Sequence, residues 1–240
     1  MARTAKGNLT EQVVESLGRA IVSGEYETNA IFQIADLCKE FSASRTVMRE
    51  AVKTLTAKGL VTSRASIGSI VQGEQSWNLS DPDVLEWFLH SKGNIVPLLR
   101  EFIDFRMGIE PIAAARAAEK ADDDKIQNIY KALERMYAAE RGEENMLDAD
   151  VDFHVAILEA CGNRFLINMR HTVDVALRIS IRVTNNTKGV ALSSADDHAA
   201  IADAIKAGDV DRAQNAMYAL LSEAQKLLAG QVELPSDFSH

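Results

Sequence analysis

At 240 residues, with 47% hydrophobic and 25% charged residues, the chain can bury a sizeable core and points to two domains. No apolar run reaches the length of a membrane span and no signal-peptide pattern is present, so a soluble, cytoplasmic protein without a membrane partner is expected. The net charge of −9 is unevenly spread: through Gln75 there are 9 basic and 8 acidic residues, beyond it 17 and 27. A nearly neutral first part joined to an acidic second part suits two modules with different partners. Cys38 and Cys161 lie in separate apolar helical patterns and are read as reduced thiols.

In chain order, Thr10 is expected to cap a helix to about Ser23 that buries Val13, Val14, Leu17 and Ile21, with Leu9 and Val14 as a hydrophobic staple. Ile34, Leu37, Cys38 and Phe41 mark a short second helix. Ser44 then caps a third helix, and Gly59 terminates it. Met48, Ala51, Val52 and Leu55 fall on one face, while Arg45, Arg49 and Lys53 form a cationic stripe on another. A basic stripe on an acidic chain suggests a polyanionic partner; a solvated surface helix is the alternative.

Leu60–Arg64 and Ser69–Val71 read as two short strands around a turn that includes Gly68. A basic helix followed at once by a hairpin is the order of a winged helix-turn-helix, in which the helix enters the major groove of double-stranded DNA. Arg64 would supply charge to the wing and Gly68 a slim turn. Residues 73–80 read as a polar linker. Everything after it is helical: Asp81-Pro82 opens a helix, and a long one follows over about 95–121 with Pro111 expected to kink it. Further helices cover about 124–140, 144–161, 164–183, 195–208 and 210–229. The fold class is mainly α: a winged domain over 1–72, an all-α bundle of six or seven helices over 81–230, and a disordered tail over 231–240.

Within the bundle, Asp150 and His154 stand one turn apart on a stripe with Leu147, Val151 and Leu158, and His198 precedes Ile201, Ala202 and Ile205. A carboxylate and two imidazoles pointing into an apolar core need partners, because unpaired burial is costly. They could hold Zn, Ni or Mn with open positions, or they could be hydrogen-bonded core residues. Arg106 has Asp104 and Glu110 within reach as ion-pair partners. Arg178 and Arg182 are read as salt-bridge partners of the acidic helices, with effector contact as the alternative.

Gly24-x-Tyr26, Phe41-x-x-Ser44-Arg45-Thr46-x-x-Arg49-Glu50-Ala51, Leu55-x-x-x-Gly59-Leu60-Val61 and Gly68-x-x-Val71 resemble the GntR family of bacterial transcription regulators over residues 10–72. The resemblance implies DNA contacts from Ser44, Arg45, Thr46, Arg49, Lys53, Arg64 and Gly68. One departure stands out: Phe32-Gln33-Ile34-Ala35 replaces the family's Leu-Pro-Ser/Ala-Glu, so the second helix should start less firmly.

Asp150-x-x-Phe153-His154, Gly162-Asn163 and the run from His198 to Met217 resemble the effector-binding FCD domain of the FadR subfamily. That implies a ligand-responsive regulator, a repressor, acting as a homodimer on a palindromic operator. It also implies a small carboxylate effector held by Arg106, Asp150, His154 and His198, with Asp150, His154 and His198 holding a metal. The family's fourth metal ligand corresponds to Leu220, which cannot ligate. The segment from Trp77 to Leu89 suggests the branch that responds to sugar acids such as galactonate. The alternative from another class is a metal-dependent helical-bundle enzyme acting on a small organic acid. Against it, the chain has no Glu-x-x-His pairs, Gly-rich phosphate loop or nucleophile motif.

Overall fold

The computed structural model describes residues 8–64, 66–91, 96–185 and 194–230, without the side chains of 179–185, 229 and 230. The tail expected at 231–240 and the side chain of Arg182 lie outside the described residues. The chain divides into two compact units, Met1–Lys92 and Gly93–His240.

The first unit begins with α1 (Leu9–Ser23), which buries Val13, Val14, Leu17 and Ile21 as its periodicity requires. Its cap is Asn8, two residues earlier than expected. Asn8 Oδ1 accepts from the Glu11 N–H at 3.0 Å, and the Glu11 carboxylate accepts from the Asn8 N–H at 3.0 Å. This reciprocal box satisfies two helix-end donors, which a cap at Thr10 would not do better. A short strand β1 (Ile31–Phe32) follows, and then α2 (Ile34–Glu40). The α2 start lacks a side-chain cap: Gln33 instead donates from Nε2 to the Ile67 carbonyl at 2.7 Å.

Ser44 caps α3 (Arg45–Ala57), whose Met48, Ala51, Val52 and Leu55 are all buried. Full burial of each such side chain contributes about 1.5–3 kcal/mol. Then come β2 (Val61–Arg64) and β3 (Gly68–Val71), paired antiparallel with Arg64 opposite Gly68. The expected hairpin wing is present, and β1 adds a third strand to it, giving a sheet of order β1-β3-β2 with Ile31 opposite Ile70. Two residues carry no period, so β1 was invisible to pattern reading; Phe32 is anchored edge-on to Tyr26, with ring centroids 4.8 Å apart.

The helix α4 (Pro82–Ser91) also belongs to this unit, so the compact body extends past the linker expected at 73–80. The reason is packing. The Trp87 ring lies on Gly18 of α1, and its Nε1–H donates to Glu15 at 3.0 Å. Lys58, itself buried, donates to Asp81 at 2.6 Å and Asp83 at 2.7 Å. Trp77 packs edge-on against Phe88 at 5.6 Å. The polar composition of the linker hid these anchors.

The second unit is an all-α bundle: α5 (Val96–Lys120), α6 (Asp123–Glu140), α7 (Met146–Ala160), α8 (Arg164–Asn168), α9 (Arg170–Asn185), α10 (Ala195–Lys206) and α11 (Val210–Gly230). The helix expected over 164–183 is two, divided at Met169. Asp122 caps α6, Asn145 caps α7, and Ser194 forms a capping box with Asp197 on α10. α5 continues through Pro111, whose missing N–H leaves the Met107 carbonyl without its intrahelical donor. Phe153, Ile157, Leu158, Ile201, Ala213 and Met217 are fully or almost fully buried in one contiguous core. No helix among the described residues is long and apolar enough to cross a membrane.

Candidate functional site

Two sets of side chains carry chemistry, one in each unit. In the first, the α3 periodicity that buries Met48 and Leu55 turns Arg45, Arg49 and Lys53 outward, and all three are exposed. Ser44 and Thr46 at the α3 start are exposed too, as is Arg64 on β2. Lys53 pairs with Glu50 at 2.7 Å, an exposed contact of little energetic weight. Gly68 has φ +120°, and a Cβ there would come within 2.5 Å of the Phe32 carbonyl oxygen. Its demand for glycine therefore comes from β1 packing as well as from the turn.

In the second unit, α5, α7 and α10 bring Arg106, Glu110, Asp150, His154 and His198 together. Arg106, Glu110, His154 and His198 are each at most 4% exposed. Asp150 Oδ1 lies 3.0 Å from His198 Nε2 and 3.4 Å from His154 Nε2. His198 Nδ1 lies 2.9 Å from the Ser194 carbonyl oxygen, which can only accept, so Nδ1 carries the proton. His154 Nδ1 lies 2.7 Å from Glu110 Oε2. Glu110 also accepts from Arg106 Nε at 2.5 Å and Nη2 at 3.1 Å.

Burial alone would raise the Glu110 pKa, but Arg106 and His154 together hold it down to about 2, so it is an ionised acceptor. Burial likewise pushes Asp150 upward, and the hydrogen bonds from His154 and His198 outweigh it and hold the carboxyl well below its usual range. For His154, burial favours the neutral ring, while Glu110 and Asp150 favour the charged one and prevail.

Both rings thus spend Nδ1–H on a protein acceptor and turn Nε2 toward one carboxylate. Such an arrangement calls for a cation at Asp150, either protons on the rings or a metal ion. Ligands at about 2.0–2.2 Å around one ion, at angles of 90–109°, lie roughly 3.0–3.5 Å apart. The two Asp150–imidazole separations match that spacing, and one ligand atom from each of the three residues lies within 4.8 Å of the others. Outer acceptors that fix the tautomer are the usual support of ligating histidines. One carboxylate and two imidazoles are a donor set that could coordinate a divalent transition metal, and among the described residues the cluster has no fourth ligand. Leu220 is buried in the bundle core, as its apolar character requires.

Sequence reading left Arg106 between clamp and ion pair. The structure gives it the ion pair with Glu110, not Asp104, through one edge of the fork. Asp104 accepts instead from Gln225 at 2.8 Å. Arg106 Nη2 is also 3.2 Å from both His154 ring nitrogens, which places it over the ring face. Glu110 is not among the site residues expected from sequence, although it stands one turn after Arg106 in the run Arg106-x-x-x-Glu110-Pro111, which also resembles the family. Arg178 pairs with Asp174 at 2.6 Å and also with Asp148, so the salt-bridge reading of that residue holds.

The comparisons follow the same division. Residues 9–71 match the family model "Bacterial regulatory proteins, gntR family", and residues 101–223 match the FCD domain. The chain belongs to the GntR family, with an FCD domain. It is 30% identical over 223 residues to the galactonate operon transcriptional repressor of Escherichia coli K12, covering 92% of this chain and 97% of that one. It is 33% identical over 228 residues to the uncharacterized HTH-type transcriptional regulator YieP of the same strain, covering 92% and 96%. Among solved structures, Lar, which controls expression of the Listeria monocytogenes agr system, superposes with a TM-score of 0.57 at 18% identity. That likeness covers 94% of this chain and 98% of Lar and shows the fold. As a GntR/FCD protein the chain is a DNA-binding transcription regulator, not an enzyme, whose helical domain binds a small-molecule effector that modulates DNA binding.

Proposed function

We propose that this regulator is a repressor whose effector is a small carboxylate held beside a metal ion at Asp150, His154 and His198. The observation that carries the reading is the convergence of two imidazole Nε2 atoms on Asp150, with the Arg106 guanidinium over the His154 face. Asp150 and Glu110 supply two negative charges and Arg106 one positive. A divalent ion with neutral imidazoles would turn that net of −1 into +1, which suits one carboxylate anion. Glu110 takes the Nε–Nη2 edge of Arg106, so an effector carboxylate would meet the guanidinium from the Nη1 side. The metal, Zn, Ni or Mn, would supply the coordinating charge. The FadR subfamily, and within it the sugar-acid branch, is favoured by the likeness to the galactonate operon repressor, so galactonate and related sugar acids are the first effectors to try.

On the DNA side, Ser44, Arg45, Thr46, Arg49 and Lys53 would dock in the major groove, with Arg64 and Gly68 on the wing along the flanking backbone. The regulator would act as a homodimer on a palindromic operator. An effector releases DNA only if it favours one arrangement of the winged units over another. The test is a thermal-shift screen of sugar acids on metal-free and Zn²⁺- or Ni²⁺-loaded protein, followed by operator gel shifts with each hit. A metal-dependent stabilisation that also lowers operator affinity is expected. Sugar acids that bind equally well after Asp150 and His154 are both changed to Ala would place the effector elsewhere.

A further inference from the structure

Glu110 is 1% exposed and so far counts as a buried negative charge, a partner for Arg106 and an acceptor beside His154. Its geometry does more than neutralise a guanidinium. Arg106 grips it through two nitrogens from one turn earlier on α5, so the carboxylate cannot rotate without breaking a buried charge pair. Held that way, its Oε2 stands 2.7 Å from His154 Nδ1. An ionised carboxylate only accepts, so the ring proton at that contact belongs to Nδ1.

His198 shows the same outcome by a different route: its Nδ1 donates to the Ser194 carbonyl at the α10 cap. Two rings on two helices therefore receive one tautomer from two unrelated acceptors, and both leave Nε2 facing Asp150. A filler ion pair would satisfy Arg106 without any contact to the ring.

We infer that Glu110 is a positioning residue, whose carboxylate fixes the His154 proton on Nδ1 and so keeps Nε2 as the ligating nitrogen. The role rests on the metal-assisted reading, because a ligating nitrogen is what the fixed tautomer serves.

The experiment uses the full chain labelled with ¹⁵N-histidine, at alkaline pH where the rings are neutral, with nitrogen NMR to locate each ring proton. Wild-type His154 is expected as the Nδ1–H tautomer. In Glu110→Gln the carboxamide can offer an N–H to Nδ1, so the ring proton is expected to move to Nε2. Calorimetric Zn²⁺ affinity should then fall ten- to a hundredfold. Circular dichroism checks that the variant is folded. If it is not, the wild-type spectrum decides alone: Nδ1–H supports the inference and Nε2–H overturns it. A variant that keeps both the tautomer and the Zn²⁺ affinity also overturns it. Should wild type take no Zn²⁺ yet show Nδ1–H that Glu110→Gln loses, the metal reading fails and the ligating purpose with it, while the hold of Glu110 on the His154 tautomer stands.

Discussion

The Trp87 ring lies so close to Gly18 that a Cβ on Gly18 would come within 2.3 Å of ring atom Cζ3. Gly18 sits mid-helix in α1, where glycine is otherwise unfavourable by about 1 kcal/mol relative to alanine. Its place there is explained by close approach of the ring. Gly18→Ala should therefore destabilise the first unit despite the gain in helix propensity, by about 1–3 kcal/mol from overpacking. Urea unfolding followed by tryptophan fluorescence measures it; an alanine variant as stable as wild type would show that α4 does not pack as described.

The recognition stripe makes separable predictions. Arg49→Ala should remove operator preference, since an Arg–guanine contact contributes roughly 1–3 kcal/mol of discrimination. Lys53→Ala should mainly flatten the salt dependence of binding, as expected for a phosphate contact. Both residues are exposed, so neither change should disturb folding. Gel-shift titrations of operator and scrambled DNA at several salt concentrations check both. Wild-type behaviour from both variants would remove α3 from the DNA interface.

A single winged unit reads only a few base pairs, so useful specificity calls for two half-sites and a two-fold dimer. Light scattering at micromolar concentration should give twice the chain mass, free and on a palindromic duplex. A monomer in both conditions would rule the dimer out.

Leu220 offers a gain-of-function test. It is buried on α11 in the core cluster that also contains Phe153, whose ring stands edge-on to both His154 and His198, with centroids 5.8 Å and 5.0 Å away. An imidazole at position 220 would add the ligand the three-residue cluster lacks, so Leu220→His should raise Zn²⁺ or Ni²⁺ affinity about tenfold or more. Calorimetric titration of both proteins decides; equal affinities would mean that position 220 does not reach the metal.

Acid stability carries a signature of Glu110. Its pKa is lowered in the folded chain from an ordinary 4.5 to about 2, with burial opposed and outweighed by Arg106 and His154. A depressed carboxylate stabilises the fold above its unfolded pKa, and that contribution is lost as pH falls through the folded value. Glu110→Gln should therefore be less stable than wild type near neutrality, and the gap should narrow between pH 4.5 and about 2. Thermal melts across that range test it; a constant gap would mean that the carboxylate is not paired as described.

Much of this was legible in the residues alone. Met48, Ala51, Val52 and Leu55 fall on one face of α3 because 3.6-residue periodicity is local, and so the basic stripe had to face outward. The inward stripes of α7 and α10 named Asp150, His154 and His198 before any distance was known, since a buried charge on an apolar face must find a partner. What only the tertiary structure decided is which partner each group takes. Strand β1 exists because β3 pairs with it, and α4 joins the winged unit because Gly18 admits Trp87 and Lys58 reaches Asp81. Arg106 had two acidic neighbours in sequence, and packing gave one to it and the other to Gln225. The tautomers of His154 and His198 depend on Glu110 Oε2 and the Ser194 carbonyl, one from another helix and one from a helix cap. Periodicity tells which side of a helix faces inward; the acceptor waiting there is set by how the helices pack.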